Sequence, residues 1–204
     1  MNEILRRSLL VVDVQNDFVE GGPLAVPGSH GVAAKINAFM TANAHRYTAI
    51  IASRDWHNPA GTNGGHFPDP GVAPTFVDTW PVHCVAGTPG AGYAPELDLA
   101  AVTHHLKKGQ GRPAYSMFQG LTEAGESLND LARATGCARF DIVGLATDFC
   151  VRATALDAAR FGFGPRVIVD LCAGVATEST ALALTQMSRA GVELTTSEHA
   201  FPNR

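Results

Sequence analysis

Near-continuous apolar segments recur along this chain, and longer segments with helical periodicity lie between them. Two of the apolar segments are LLVVDV at residues 9–14 and VIVDL at residues 167–171. Strands this uniformly apolar are typical of a parallel sheet covered by helices on both faces. Gly136, Gly162 and Gly191 each follow a helical segment, where a left-handed cap is favoured. The pattern therefore predicts an α/β fold, a three-layer α/β/α sandwich with a mostly parallel sheet of five or six strands.

The composition is that of one globular domain and argues against several classes of protein. With 204 residues, of which 46% are hydrophobic, the chain can bury a substantial core, so we predict a single domain over residues 1–204. A net charge of -4, with basic residues clustered only in pairs, argues against a nucleic-acid partner. The apolar run near the start ends at Asp13, too soon for a signal peptide or a membrane span. We therefore expect a cytoplasmic protein that binds no membrane.

The four cysteines show neither C-x-x-C pairing nor the density of a secreted disulfide scaffold. We expect them to be free thiols.

A long irregular segment interrupts the alternation of strands and helices. Residues from about 55 to 95 are rich in proline, glycine, histidine and asparagine and contain both tryptophans. A loop of this length in a compact domain is typically functional or disordered, and its aromatic content argues against disorder. We interpret it as an insertion that carries part of a binding site.

Chemically active side chains follow the predicted strands. They are Asp13 and Asp17 after the first strand, Asp55 and His57 after the second, Lys108 at the end of the third, Cys150 after the fourth and Asp170 at the end of the fifth. In an open parallel sheet the ligand crevice lies beyond the carboxyl ends of the strands. We therefore expect these side chains to lie near one crevice.

Asp13, Lys108 and Cys150 combine a carboxylate, an ammonium and a thiol, a set that can carry out acyl transfer. Cys150 lies at the predicted start of a helix, whose free N–H groups favour a thiolate. We hypothesise that Lys108 lowers the thiol pKa from its free value of about 8.5 toward or below neutrality. Asp13 would take the thiol proton and later deliver it to a departing amine. Taken singly, Cys150 can be a buried apolar side chain, Asp13 a strand-end cap and Lys108 a solvated strand end.

Asp55, His57, His66 and His83 form a candidate site for a divalent metal ion within or beside the irregular segment. Asp55 and His57 are two positions apart, so they point the same way from an extended chain. One carboxylate with two or three imidazoles suits such an ion. The spacing matches none of the common zinc signatures, and loop histidines are often surface residues. Both interpretations stay open at this point.

Phe18, Trp80 and Tyr115 each lie close in sequence to one of these candidate residues. They can wall a pocket for a flat, apolar ring, or they can belong to the core. The sequence contains no glycine-rich nucleotide-binding motif after a strand and no G-x-S-x-G elbow of a serine hydrolase.

Five segments that together span nearly the whole chain carry a family resemblance. They are VVDVQNDFVEGGPLAVPGS, RDWH, TWPVHCVAGTPGA, KKGQGRPAYSMFQG and VGLATDFCVRATALDA, in this order. They resemble the nicotinamidase (pyrazinamidase) branch of the isochorismatase-like cysteine hydrolases. The resemblance implies hydrolysis of nicotinamide to nicotinate and ammonia in NAD salvage, with pyrazinamide as a second substrate. It leaves open whether the protein is a monomer or a homo-oligomer.

The resemblance also implies roles for the residues at the strand ends. Asp13 is the expected general base, Lys108 lies beside it, and Cys150 is the expected nucleophile that forms a thioester. The backbone N–H groups of Ala146 and Cys150 are the expected oxyanion hole, next to a cis peptide bond between Leu145 and Ala146.

By the same resemblance, Asp55, His57 and His83 are expected to bind one zinc, iron or manganese ion, and His66 lies at a position where the family varies. The metal is expected to bind the pyridine nitrogen and orient the ring. The residues expected to flank the ring are Phe18, Trp80 and Tyr115. Two features depart from many relatives: His66 follows His57 by nine positions, and Phe149 precedes Cys150.

Three other functions would use only some of these candidate residues. A related amidase acting on a carbamoyl or ureido substrate would share Asp13, Lys108 and Cys150 but not the metal ligands. Isochorismatase itself does not use a thiol nucleophile. A non-catalytic metal-binding or redox-sensing thiol protein would give no role to Asp13 or Trp80.

Overall fold

The computed structural model describes residues 6–201, and these form alternating strands and helices. The strands are β1 (Arg6–Val12), β2 (Ile50–Asp55), β3 (His104–Lys108), β4 (Cys137–Leu145), β5 (Gly164–Ala173) and β6 (Glu193–Thr195). The helices are α1 (Ser29–Asn43), α2 (Leu128–Thr135), α3 (Arg152–Arg160), α4 (Thr177–Arg189) and α5 (Ser197–Ala200). The six strands form one sheet in the order β3-β2-β1-β4-β5-β6, and every neighbouring pair is parallel.

Helices cover both faces of the sheet. Alternate residues of β1 point to opposite faces, so Leu9 packs with α1 while Leu10 packs with α2 and α3. The buried residues of α1 include Ile36 and Phe39, and Ala200 of α5 joins the same cluster. Met187 of α4 lies in the cluster on the other face. The predicted three-layer α/β/α sandwich is therefore confirmed, with a sheet that is entirely parallel.

The strand order reverses between β1 and β4. From β1 the chain builds β2 and β3 on one side, and it later returns to place β4 on the other side of β1. Such a switch point opens a crevice beyond the carboxyl ends of the two strands. Gly144 allows the close approach of the strands there, since its φ is +114° and a Cβ on it would lie 2.2 Å from the carbonyl oxygen of Val12.

The irregular segment extends from β2 to β3 and is held by backbone hydrogen bonds. The N–H of His57 donates to Cys84 O at 2.9 Å, and the N–H of Trp80 donates to His66 O at 2.9 Å. These bonds fold the segment back over the carboxyl end of the sheet. Residues far apart in sequence therefore meet at the crevice.

The three cap glycines have the predicted left-handed conformation, with φ of +64°, +84° and +83° at Gly136, Gly162 and Gly191. The four cysteines lie within the described part of the chain and are free thiols, as predicted. The prediction that Asp170 ends the fifth strand is wrong, because β5 continues to Ala173. Asp170 instead accepts hydrogen bonds from Ser197 at the start of α5. Across residues 6–201, no helix combines the length and apolar character needed to cross a bilayer.

Candidate active site

Lys108 is fully buried at the end of β3, and its ammonium contacts the predicted base Asp13, the thiol of Cys150 and the carboxylate of Asp55. The Nζ atom lies 2.8 Å from Oδ2 of Asp13 and 2.5 Å from Oδ1 of Asp55. It also donates to Sγ of Cys150 at 3.6 Å and to Ala114 O at 3.1 Å. The structure thus brings Asp13, Lys108 and Cys150 together, as the strand ends predicted.

Asp13 leaves β1 in a left-handed conformation, with φ of +46°, and it is completely buried. Ser53 of β2 holds it from the side, because its Oγ donates to Oδ1 of Asp13 at 2.6 Å. The backbone N–H of Asp13 donates to the same hydroxyl at 3.3 Å. These contacts fix the carboxylate beside Lys108, with one of its oxygens within 4.8 Å of Sγ of Cys150.

Burial sets the protonation state of this cluster. It raises the pKa of the Cys150 thiol well above its ordinary value, and the neighbouring carboxylates add to this, although Lys108 acts in the opposite direction. The predicted lowering of the thiol pKa toward neutrality is therefore wrong for the resting protein. Burial also raises the pKa of Asp13, against the effect of Lys108. Asp13 and Asp55 together keep the pKa of Lys108 well above its ordinary value despite burial, so the lysine is a permanent cation.

Cys150 lies in a π-helical turn, Thr147–Val151, that connects β4 to α3. The turn begins after Ala146, whose carbonyl accepts the N–H of Val151 at 3.2 Å. The peptide bond between Leu145 and Ala146 is cis, as the resemblance implied. Cys150 therefore occupies the predicted strand-to-helix junction, beside the other residue expected in the oxyanion hole.

Three imidazoles and one carboxylate form a second cluster beside Lys108. Candidate ligand atoms of His57, His66 and His83 all lie within 4.8 Å of one another. The Oδ2 atom of Asp55 lies 3.8 Å from Nε2 of His57 and 3.9 Å from Nε2 of His83. All four side chains are buried. The structure brings His66 into the cluster despite its wider spacing from His57.

The second cluster fits a divalent cation. Among residues 6–201, the buried atoms Nε2 of His57 and Nδ1 of His66 have no hydrogen-bond partner. The other nitrogen of His57 lies 2.9 Å from Gly109 O, and Nδ1 of His83 lies 2.7 Å from Pro81 O. These carbonyl contacts orient the remaining nitrogens inward, as is usual for metal-binding histidines. Since nitrogen and oxygen ligands lie about 2.1 Å from zinc, two of them can be at most about 4.2 Å apart, and the distances from Asp55 satisfy this limit.

His66 and His83 are neutral at neutral pH, so their ring nitrogens are free to bind a cation. Burial, with the neighbouring imidazoles, lowers the pKa of His66 to about 3. Burial also lowers the pKa of His83. For Asp55, burial alone would raise the pKa, but Lys108 and the imidazoles hold it well below its usual range. At neutral pH, His66 and His83 therefore offer free imidazole nitrogens, and Asp55 offers an ionised carboxylate.

A pocket of about 230 Å³ opens above both clusters. Its polar lining comes from Asp55, His66, His83 and Cys150, and its walls are mainly apolar. The predicted aromatic residues Phe18, Trp80 and Tyr115 all line it, as does Phe149.

The aromatic walls are fixed by contacts with one another. The indole N–H of Trp80 donates to the hydroxyl of Tyr115 at 2.9 Å. Phe149 packs edge-on against Trp80, with ring centroids 5.0 Å apart. Phe76, which is exposed, also packs edge-on against Trp80, with ring centroids 6.4 Å apart. These rings leave a slot suited to a flat, apolar molecule whose polar end faces Cys150.

Several residues of the site were not predicted. Gln15 and Ser53 contact the backbone or side chains of Asp55 and Asp13, and Phe76 closes part of the pocket. A polar residue inside or just after an apolar strand, as in VVDVQ or IIASRD, is the sequence signal that points to the first two. The sequence shows no such signal for Phe76, because its position depends on the folding of a loop.

A family model described as the isochorismatase domain matches residues 7–199. The chain belongs to the isochorismatase family. The resemblance to the isochorismatase-like family, predicted from the five sequence segments, is thereby confirmed.

Members of the isochorismatase family similar to this chain include named amidases. The nicotinamidase/pyrazinamidase of Mycobacterium tuberculosis is 45% identical over 188 residues, covering 92% of this chain and 97% of that protein. A crystal structure of pyrazinamidase of Pyrococcus horikoshii in complex with zinc has a TM-score of 0.79 and 35% identity, covering 94% of this chain and 99% of that one. A crystal structure of PnC1 from L. infantum in complex with nicotinate has a TM-score of 0.80 and 30% identity, covering 95% and 93%.

Proposed function

We propose that this protein is a nicotinamidase, which hydrolyses nicotinamide to nicotinate and ammonia through a thioester on Cys150. The observation that carries the proposal is the position of Cys150. Its thiol contacts Lys108 and lines an aromatic pocket that is also lined by Asp55, His66 and His83. The names of similar proteins, including the nicotinamidase/pyrazinamidase of Mycobacterium tuberculosis, support the same activity.

We propose that Asp55, His57, His66 and His83 bind one divalent metal ion. Their inward nitrogens, ionised carboxylate and burial support this assignment. Such an ion supplies a Lewis-acidic position that accepts the pyridine nitrogen and so orients the ring. Phe18, Trp80 and Tyr115 would hold the ring faces and edges while the carboxamide points toward Cys150.

The first half-reaction joins the acyl group to Cys150. Asp13 accepts the thiol proton as Sγ bonds to the carboxamide carbon, and the carbonyl electron pair moves to oxygen. The raised pKa of Asp13 makes it a stronger base than an exposed aspartate, and Lys108 stabilises the negative charge that develops on sulfur. The N–H groups of Ala146 and Cys150 stabilise the oxyanion. Asp13 then gives its proton to the amide nitrogen, the C–N bond breaks and ammonia leaves.

The second half-reaction releases the acid. Asp13 takes a proton from a water molecule as the water oxygen adds to the thioester carbon. The C–S bond breaks, the sulfur of Cys150 recovers a proton from Asp13, and nicotinic acid loses its own proton to solvent. The enzyme returns to its starting state, so Asp13 serves as base and acid in both halves.

The histidine cluster distinguishes this proposal from its competitors. A carbamoyl or ureido amidase needs Asp13, Lys108 and Cys150 but no buried imidazoles aimed into the pocket. A redox-sensing thiol protein needs an accessible, low-pKa thiol, whereas burial raises the pKa of Cys150. Neither alternative accounts for the whole site.

The proposal is tested by ammonia release from nicotinamide by the purified protein. We expect turnover by the wild type and only background release by Cys150→Ala. Cys137→Ala is the matched control, because Cys137 is also buried but lies at the start of β4. Rapid quenching followed by mass spectrometry should detect a nicotinoyl adduct on the wild type. Full activity of Cys150→Ala would rule out the thioester.

Chelation tests the role of the metal. We expect removal of the ion to raise KM strongly because the ring loses its anchor, and added Zn²⁺, Mn²⁺ or Fe²⁺ to restore it. Full activity of verified metal-free protein would contradict this role. Hydrolysis of pyrazinamide, participation in NAD salvage, a cytoplasmic location and the single-domain organisation with an inserted metal-binding loop stay predictions.

A further inference from the structure

Gln15 is a completely buried amide that joins the end of β1 to the end of β2. Its Oε1 accepts the backbone N–H of Asp55 at 2.7 Å, and its Nε2 donates to the carbonyl oxygen of Asp55 at 2.9 Å. The same Nε2 donates to Ala91 O at 3.1 Å. Both donors of the amide and one acceptor position are thereby used. The side chain of Gln15 thus binds both the backbone N–H and the backbone carbonyl of Asp55.

Asp55 is the residue that the two clusters share. Its Oδ1 lies 2.5 Å from Nζ of Lys108, on the side of the thiol. Its Oδ2 faces Nε2 of His57 and His83 at 3.8 and 3.9 Å. A rotation or shift of the Asp55 backbone would therefore move a contact of the ammonium and a candidate metal ligand at the same time.

We propose that Gln15 is a positioning residue that sets the orientation of Asp55 for both clusters. Loss of its amide weakens metal binding and slows turnover together. The inference rests on the proposed function for turnover, but its metal-binding part stands on the cluster alone. Gln15 itself touches neither the thiol nor the imidazoles through its side-chain hydrogen bonds, so it acts through Asp55.

The chemistry of an amide explains why this position suits glutamine. Gln15→Met keeps the length of the side chain but leaves the N–H and carbonyl of Asp55 buried without partners. Gln15→Glu keeps the shape but replaces the NH₂ group with an oxygen that would face the carbonyl oxygens of Asp55 and Ala91. Both changes retain aspartate at position 55 and disrupt the hydrogen bonds that hold its backbone.

Ser53 provides a contrast within the same sheet edge. Its hydroxyl supports Asp13 through both a side-chain and a backbone contact, and Asp13 belongs to the thiol side alone. Ser53→Ala should therefore slow turnover without weakening metal binding. Gln15 variants should do both, and this difference separates positioning through Asp55 from a general loosening of the site.

Tyr47→Phe controls for lost stability. Tyr47 donates to Asp141 at 2.8 Å near the amino-terminal end of the sheet, away from the crevice. We expect this variant to lower the free energy of unfolding while leaving Zn²⁺ affinity and kcat unchanged. A purely structural role for Gln15 would give the same result as Tyr47→Phe.

The experiment measures Zn²⁺ affinity by competition with a chelating dye, and kcat for nicotinamide at saturating Zn²⁺. For Gln15→Met and Gln15→Glu we expect the Kd for Zn²⁺ to rise by about tenfold or more, the usual effect of losing a partner that supports a metal ligand. We also expect kcat to fall at saturating Zn²⁺, because the contact of Asp55 with Lys108 stays disturbed.

Zn²⁺ affinity and kcat that both match the wild type in a folded Gln15 variant would overturn the inference. If Gln15→Met does not fold, Gln15→Glu and the shorter Gln15→Asn decide by the same criteria. Should wild-type protein bind Zn²⁺ but fail to hydrolyse nicotinamide, the proposed function fails, and the Zn²⁺ affinities of the Gln15 variants still test the positioning of Asp55.

Discussion

Replacing Lys108 with methionine should leave two buried carboxylates without their shared cation. Met has a similar length and no charge, so the change removes the ammonium and little else. Asp13 and Asp55 are 0% and 3% exposed, and Nζ of Lys108 lies 2.8 and 2.5 Å from their carboxylate oxygens. In the variant both carboxylates lose this cation. Removing one partner of a buried ion pair typically costs about 3–5 kcal/mol. We expect Lys108→Met to lower the free energy of unfolding of the metal-free protein by that amount near neutral pH.

The cost should depend on pH in a defined direction. The pKa of Asp13 is already raised by burial, and loss of the lysine raises it further. A carboxyl group whose pKa is higher in the folded than in the unfolded state destabilises the protein increasingly as the pH rises above the unfolded pKa, and by the full amount above the folded pKa. Protonation of Asp13 as the pH falls removes this penalty. The difference in stability between Lys108→Met and the wild type should therefore shrink as the pH falls from 8 toward 5.

Lys107→Met is the matched control, because it is the same substitution at the neighbouring residue. Lys107 pairs with Glu123 at 2.8 Å, but that carboxylate is 86% exposed. Surface pairs of this kind contribute about 0.2–1 kcal/mol. Lys107→Met should accordingly change stability by about 1 kcal/mol or less and leave ammonia release intact.

Urea unfolding of chelated protein at pH 5 and pH 8, followed by circular dichroism, measures these differences. Bound metal should reduce the cost of Lys108→Met, because Asp55 then keeps a positive partner. A loss in Lys108→Met no larger than in Lys107→Met, or one that is equal at both pH values, would refute the assignment of Lys108 as the cation that offsets two buried carboxylates.

Three further predictions concern the rest of the site. Tyr115→Phe removes the hydroxyl that accepts the indole N–H of Trp80. In steady-state assays KM for nicotinamide should therefore rise severalfold, with a smaller change in kcat. An unchanged KM would contradict the role of this hydrogen bond in fixing the aromatic walls. The pKa of His66 is lowered to about 3 by burial, so unfolded protein binds more protons below about pH 6.5 and metal-free protein should lose stability as the pH falls from there. His66→Asn should lose less stability between pH 6.5 and 4.5 in urea titrations, and an unaltered pH profile would count against a buried neutral imidazole. Asp148 accepts hydrogen bonds from Ser179 and from two backbone N–H groups at the start of α4. Asp148→Ala should therefore lower the free energy of unfolding, measured with heat or urea, by about 1–3 kcal/mol. A decrease below about 0.5 kcal/mol would show that this cap contributes little to stability.

The amino-acid sequence by itself determined the architecture and the residues that meet at the crevice. A strand that is buried on both faces is apolar at nearly every position, as LLVVDV and VIVDL are. These segments therefore predict a parallel sheet between two layers of helices. Parallel strands end at one edge, and this places Asp13, Lys108 and Cys150 at the same crevice. Periodicity and strand ends are local properties, which is why the sequence reveals them.

Only the tertiary structure decided the state of the thiol, the position of His66 in the histidine cluster and the hydrogen bonds that support Asp55. The pKa of Cys150 depends on how completely other elements exclude water from it, and burial outweighs the nearby ammonium. His66 joins His57 because backbone hydrogen bonds between distant loop residues fold the insertion back, and no periodic pattern encodes such bonds. The amide of Gln15 reaches Asp55 across forty positions of sequence for the same reason. Burial and long-range hydrogen bonds are properties of the packed chain, so they become visible only when the fold is complete.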